Sequence, residues 1–229
     1  KEGKWSDLWF YWEGKPLILA YTDTLTPRDK DPEDAALMNE IKSFFTFRGP
    51  QPSYTSGQTK ENQWGWLEIY PQNGYTKRAD GTFEEATVGV AANHSYIRDR
   101  LAPMNDEYAM GRSYTSLLGQ DKTPGAYKYG YFFSEQLERA LEIDPELMFI
   151  DGWNEWIAGR YQQWNGVSNA FPDAYDNEGS RDMEPTKGDM KDNYYALLVD
   201  AIRKFKGTEK REIAGAEKTI DIYDFSGWN

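Results

Sequence analysis

The chain has 229 residues, a formal net charge of −12, and 39% hydrophobic and 16% aromatic residues. That length suits one sizeable domain, and the acidity argues against nucleic acid and anionic membrane surfaces, both of which need a basic face. No apolar run approaches the roughly 18 residues that span a bilayer, so no membrane insertion is expected. The absence of Cys excludes disulfides and thiolate metal sites, and a single His, His94, leaves any metal site to oxygen ligands.

In chain order, the predicted strands are "PLILAYT" (16–22), "FFTFRG" (44–49), "WGWLEIYP" (64–71), "ATVGVAAN" (86–93) and "LMFIDGWNEW" (147–156). A helix is predicted between the first two, with Asp31 as N-cap, Pro32 at its first position, and Leu37, Met38 and Ile41 as an apolar stripe. A second helix, "SEQLERALEI", is expected to start at Ser134. A third, in "DMKDNYYALLVDAIRKFKG", places Tyr194, Leu198, Ala201, Ile202 and Phe205 on one face and ends at Gly207. Strands alternating with helices predict a parallel sheet covered by helices, and no Gly-rich phosphate fingerprint follows any strand. The expected fold class is therefore an α/β (β/α)₈ TIM barrel, of which this chain supplies roughly the C-terminal five strands. The remaining strands would precede Lys1. The expected domains are a barrel portion over 1–207 and, over 208–229, a charged linker leading into a β-rich, carbohydrate-binding-like domain.

The loops 54–63, 71–82 and 158–188 are long and rich in Trp, Tyr, Asn and Asp, and they follow strand ends, where a barrel places its site. Nine Trp and 16 Tyr offer flat apolar faces with a polar handle, which suits hydroxylated ligands such as sugars, although large core residues would explain them equally. In "WGWLEIYP", strand alternation sets Trp66, Glu68 and Tyr70 on one face. A carboxyl among aromatics has its pKa raised, as a general acid needs. The alternative is a structural Glu paired with a basic neighbour. In "DGWNEW", Asn154 offers an amide for a sugar hydroxyl, Glu155 a carboxylate for proton exchange, and Trp153 or Trp156 a stacking face; an Asn–Glu pair stabilising the rim is the alternative. Asn93 and His94 end another strand, and Arg112 and Asp23 are further polar candidates. The acidic run 173–185 lacks EF-hand spacing and reads as a solvated loop paired internally through Arg181. No metal and no cofactor is expected.

The order of the motifs "EGKPLILAYTD" (13–23), "TVGVAANHSYIRDR" (87–100), "GRSY" (111–114) and "LMFIDGWNEWIAG" (147–159) resembles the C-terminal half of the (β/α)₈ glycoside hydrolases related to family 99, the endo-α-mannanase type. It is also similar to glycosyltransferase-like polysaccharide-biosynthesis proteins. "DNEGSRDMEP" (176–185) and "DNYYALLVDAIRKFKG" (192–207) look like segments of secreted multidomain proteins of polysaccharide-degrading bacteria. The resemblance covers about residues 15–207 and carries over Asn154, Glu155 and Trp156 as sugar-site residues. Where the family pattern continues "NEW-x-EG", this chain has Ala158 and Gly159, so one family carboxylate is absent. The family's catalytic carboxylates lie on a strand that would precede Lys1. The resemblance implies a carbohydrate partner and an extracellular, periplasmic or cell-surface location. The leading expectation is a glycoside hydrolase with Glu68 and Glu155 as its carboxylates. A non-catalytic glycan-binding barrel and glycosyl transfer in polysaccharide synthesis are the alternatives.

Overall fold

The structure is a computed structural model that describes residues 4–28, 31–155 and 158–207. The 208–229 segment, expected to open a β-rich domain, lies outside the described residues, as does Trp156. A short antiparallel pair, β1 (Tyr11–Trp12) and β2 (Lys15–Leu19), leads through α1 (Pro32–Phe44) to β3 (Thr46–Gln51) and β4 (Gln63–Gly65). Next come β5 (Tyr75–Lys77), β6 (Phe83–Val88) and β7 (Ala92–Ser95). Four two-residue strands follow: β8 (Arg100–Leu101), β9 (Ala109–Met110), β10 (Tyr114–Thr115) and β11 (Gly119–Gln120). The described chain ends with α2 (Tyr131–Ile143), β12 (Leu147–Ile150), the hairpin β13 (Tyr161–Trp164) and β14 (Val167–Ala170), and α3 (Asn193–Phe205).

Parallel pairing joins β2 to β3, β3 to β4, and β6 to β12, while β5 adds antiparallel to β6. Between β4 and β6 a side chain replaces the ladder: the Gly65 N–H donates to the buried Glu85 carboxylate at 2.7 Å. The result is a half-barrel sheet broken into small mixed sheets. The expected (β/α)₈ barrel is therefore corrected. Only three α-helices accompany the strands among the described residues. The connections 52–62 and 66–74 have no 3.6-residue apolar period and run as loops, and a barrel needs a helix at each crossover.

Several elements depart from their predicted bounds for local reasons. "WGWLEIYP" stops being a strand at Gly65, because Glu85 and Thr87 occupy the space beside it. A Cβ at Gly65 would sit 2.9 Å from Thr87 Oγ1. The chain then turns toward the 54 loop, with Ile69 N–H donating to Tyr54 O at 3.3 Å, and the face alternation is lost. "ATVGVAAN" divides into β6 and β7, which belong to different sheets. The second helix begins at Tyr131 behind Gly130 in a left-handed conformation, not at Ser134. Ser134 N–H already bonds Gly130 O at 2.8 Å, so it lies within the first turn. Starting early buries Phe132 and Phe133. Leu197 of α3 lies where a Gly130 Cβ would be, 2.4 Å away.

The main core is formed by Ala86, Val88 and Val90 against Phe133, Leu137 and Ala140 of α2, Tyr194 and Ala201 of α3, and Met183 and Met190. Each large apolar side chain buried there contributes roughly 1.5–3 kcal/mol. The first helix forms as predicted, with Asp31 Oδ1 accepting from Glu33 N at 2.9 Å. Its expected stripe is not buried, and Leu37 is exposed. Under the sheet, Glu84 is held bidentately by Arg48 (2.6 and 2.8 Å) and by Trp64 Nε1 (2.9 Å), a buried ion pair with its hydrogen bonds satisfied. Among the described residues no helix is long and apolar enough to cross a membrane.

Candidate functional site

Strand β12 creates the site by ending at Ile150, short of its expected bound at Trp156. After Ile150 the chain continues with Asp151 N–H bonded to Val88 O (2.9 Å) and then turns at Gly152, whose φ of 87° lies in the left-handed region. That turn admits the backbone of the 181–184 segment, which is strapped down by Met183 N–H to Gly152 O (2.7 Å) and Glu184 N–H to Trp153 O (3.0 Å). Arg181 O occupies the space a Cβ at Gly152 would need, 2.1 Å away. Sequence-distant residues 151–155 and 181 thereby meet in one cleft of about 800 Å³.

The cleft walls are aromatic: Trp66, Trp153, Tyr161 and Trp164. The last two stand on the β13–β14 hairpin, closed by the two-residue Asn165–Gly166 turn with φ values of 47° and 86°. The floor is polar. Arg181 Nη2 reaches Glu155 Oε2 at 2.7 Å and Asp173 Oδ1 at 3.0 Å, while Nη1 lies 4.0 Å from Asp151 Oδ2. The buried Tyr54 hydroxyl accepts from Arg181 Nη1 (3.3 Å) and donates to Asn93 Oδ1 (2.6 Å), so it fixes the guanidinium from behind. Asn93 in turn donates to Pro172 O at 3.0 Å.

These contacts divide the acids. Burial pushes the Asp151 carboxyl up to about 6, against the opposing pull of Arg181. Behind Asp173, burial and the adjoining Asp173 carboxyl raise Asp182 to about 7, and its Oδ1 is buried with no N–H or O–H donor. For Arg181, burial works against the charge, and Tyr54, Asp173 and Asp151 more than restore it, so the guanidinium stays protonated. A carboxyl poised near 6 beside an arginine-held carboxylate can divide acid and base roles.

Of the sequence-predicted site residues, the structure brings Trp66, Asn93, Trp153, Asn154 and Glu155 to this cleft. Asn154 Nδ2 also donates to Glu184 Oε2 at 3.0 Å. Glu68 is not part of the lining. It is 2% exposed and accepts hydrogen bonds from the Tyr75 hydroxyl and from Asn73 Nδ2 (3.1 Å), because the loss of strand alternation after Gly65 turns it inward. Tyr70 borders a separate depression with Ser116, Glu135 and Glu142. His94 is buried outside the cleft lining, with burial lowering its pKa against Asp99, 3.5 Å from Nε2. Arg112 is buried and structural. It donates to Ser180 O (3.0 Å), Ser180 Oγ (3.2 Å) and Asp182 O, and its guanidinium lies 4.3 Å from the Tyr194 ring centroid. Asp23 sits on the surface, 3.6 Å from Lys60 Nζ.

Asp151 and Asp173, the Tyr54–Arg181 clamp and the aromatic pair Tyr161 and Trp164 were not singled out by the sequence as site residues. For Tyr54, Asp173, Arg181, Tyr161 and Trp164 the signal was the composition of the 54–63 and 158–188 loops, which marks regions without ranking residues; for Asp151 it was its place in "DGWNEW", on the same strand parity as Trp153 and Glu155. Compared with known proteins, the chain matches no protein-family model, no curated protein and no solved structure.

Proposed function

We propose that the cleft binds a glycan and hydrolyses a glycosidic bond, with Asp151 as proton donor and Glu155 as the second carboxylate. One observation carries this reading. A carboxyl raised to about 6 and a carboxylate held by Arg181 line the same cleft, whose walls are Trp66, Trp153, Tyr161 and Trp164. Aromatic faces suit the C–H faces of pyranose rings, and two carboxyl groups flanking the scissile bond are what such hydrolysis requires. Asn154 and Asn93 supply amides within reach of sugar hydroxyls. Arg181 binds Glu155 through Nη2 while burial keeps Asp151 protonated at mildly acidic pH, so the two roles fall to different carboxyl groups. Acting on a polysaccharide, the protein would work outside the cytoplasm.

A second reading, binding without cleavage, is favoured by the way Arg181 occupies both Glu155 and Asp173. Incubation with a panel of neutral polysaccharides, α-mannans among them, separates the two by following reducing ends released. The wild type should release them, with a rate that falls as pH rises through about 6 and Asp151 loses its proton. Asp151→Asn and Glu155→Gln should each lose roughly 100-fold or more while still binding. Binding in all three proteins without release assigns the cleft to recognition alone, and absence of binding overturns the proposal.

A further inference from the structure

We propose that the cleft admits uncharged and amine-bearing glycans and rejects those carrying carboxylate or sulfate groups. This rests on the glycan-binding reading above and adds a substrate class to it.

Three of the lining residues, Asp151, Glu155 and Asp173, carry carboxyl groups, and the only cationic one is Arg181. Both terminal nitrogens of that cation are already committed, and its unpartnered Nε is out of reach. Its Nη2 serves Glu155 and Asp173, its Nη1 serves Tyr54 and faces Asp151, and its Nε is buried from solvent. An acidic sugar is normally gripped by a free guanidinium fork or ammonium, and among the described residues of the lining no such donor is presented. Arg112, the other buried arginine of this region, donates to the carbonyls of Ser180 and Asp182 and so offers nothing to the cleft. Arg100 is held at the hairpin turn by Asn165 O (3.3 Å), and neither it nor the exposed Arg160 is part of the lining.

The surroundings add negative charge and reduce screening. Glu184, a further acid, is bonded to Asn154 at the rim. The aromatic walls are low in polarity, so field lines from the acids concentrate in the cleft instead of dissipating in water. A sugar carboxylate entering there meets net repulsion and loses its hydration with no compensating bond. A hydroxyl can still donate to Glu155 or Asp173. An ammonium can do so too and can also lie over the tryptophan and tyrosine faces.

The test uses a matched set, so that shape stays constant while charge changes. A neutral hexo-oligosaccharide that binds in the panel above is compared with its C6-oxidised, uronate form and with the methyl ester of that form, by titration calorimetry at low salt. The acid should bind at least about tenfold more weakly than its own ester. That gap should shrink several-fold in Glu155→Gln, whose amide keeps the shape of this half-exposed side chain without its charge, and again at roughly 0.5 M salt. Equal or tighter binding of the acid overturns the inference while leaving glycan binding intact, and so does a gap indifferent to both salt and Glu155→Gln. Failure of every glycan to bind overturns the inference together with the proposed function, and the two failures are distinguished by whether the neutral parent binds.

Discussion

Replacing Glu68 by Gln should stabilise the protein at alkaline pH and leave it unchanged or slightly weaker in acid. The carboxyl is 2% exposed, and burial lifts it from an ordinary 4.5 to about 7, although the Tyr75 hydroxyl and Asn73 amide pull the other way. Below about 4.5 the folded and unfolded chains both hold the proton, and no penalty exists. Between 4.5 and 7 the unfolded chain releases its proton first, so stability falls as pH rises. Above about 7 the full cost of burying the charge is present, about 3 kcal/mol at about 1.4 kcal/mol per pH unit. Gln carries no such charge. It keeps an acceptor for the Tyr75 hydroxyl, but Asn73, which now donates at 3.1 Å, must turn its amide, a loss of about 1 kcal/mol. The net expectation is a gain of about 2 kcal/mol at pH 8, or about 4–8 °C in melting temperature for a chain of this size, and a loss of about 1 kcal/mol near pH 4.5. Urea unfolding of both proteins from pH 4.5 to 8 measures the difference directly. Glu85, lifted to about 8 by its own burial, titrates in both and largely cancels. Two stability profiles that run parallel across this range would show that Glu68 does not carry a buried charge and would refute the reasoning.

Two further expectations concern the clamp and the turn that build the cleft. Tyr54→Phe deletes the hydroxyl between Asn93 Oδ1 and Arg181 Nη1, and should cost about 1–2 kcal/mol of stability. A looser Arg181 depresses the Asp151 carboxyl less, so the pH limit of reducing-end release should move upward; an unchanged pH profile with unchanged melting would refute the clamp. Gly152→Ala sets a Cβ on Arg181 O at a residue with φ of 87°, which should cost about 3 kcal/mol or more and abolish glycan binding. A variant that melts within a degree of the wild type would refute the tight strap.

Much of the local structure was legible from residues alone. Asp31 and Pro32 announce the first helix, the Tyr194–Ala201 spacing the third, and "PLIL", "TFRG" and "LMFI" the parallel strands, because caps and periodicity are properties of neighbours in the chain. The abundance of Trp and Tyr in the 158–188 loop and the Asn–Glu step at 154–155 also pointed to the end of the sheet where the cleft lies. What contacts at long range decided was different in kind. Alternation in "WGWLEIYP" set Glu68 beside Trp66, yet the Glu85 side chain displaces the strand after Gly65 and turns Glu68 into the interior. The half-barrel followed from connections that lack helical periodicity and from β5 joining the sheet antiparallel. Arg181 became the centre of the cleft only because a left-handed turn at Gly152 lets a backbone segment nearly 30 residues away lie against it. Sequence spacing reports which residues can share a face; which carboxyl is buried, and which arginine answers it, depends on chain segments that meet only after folding.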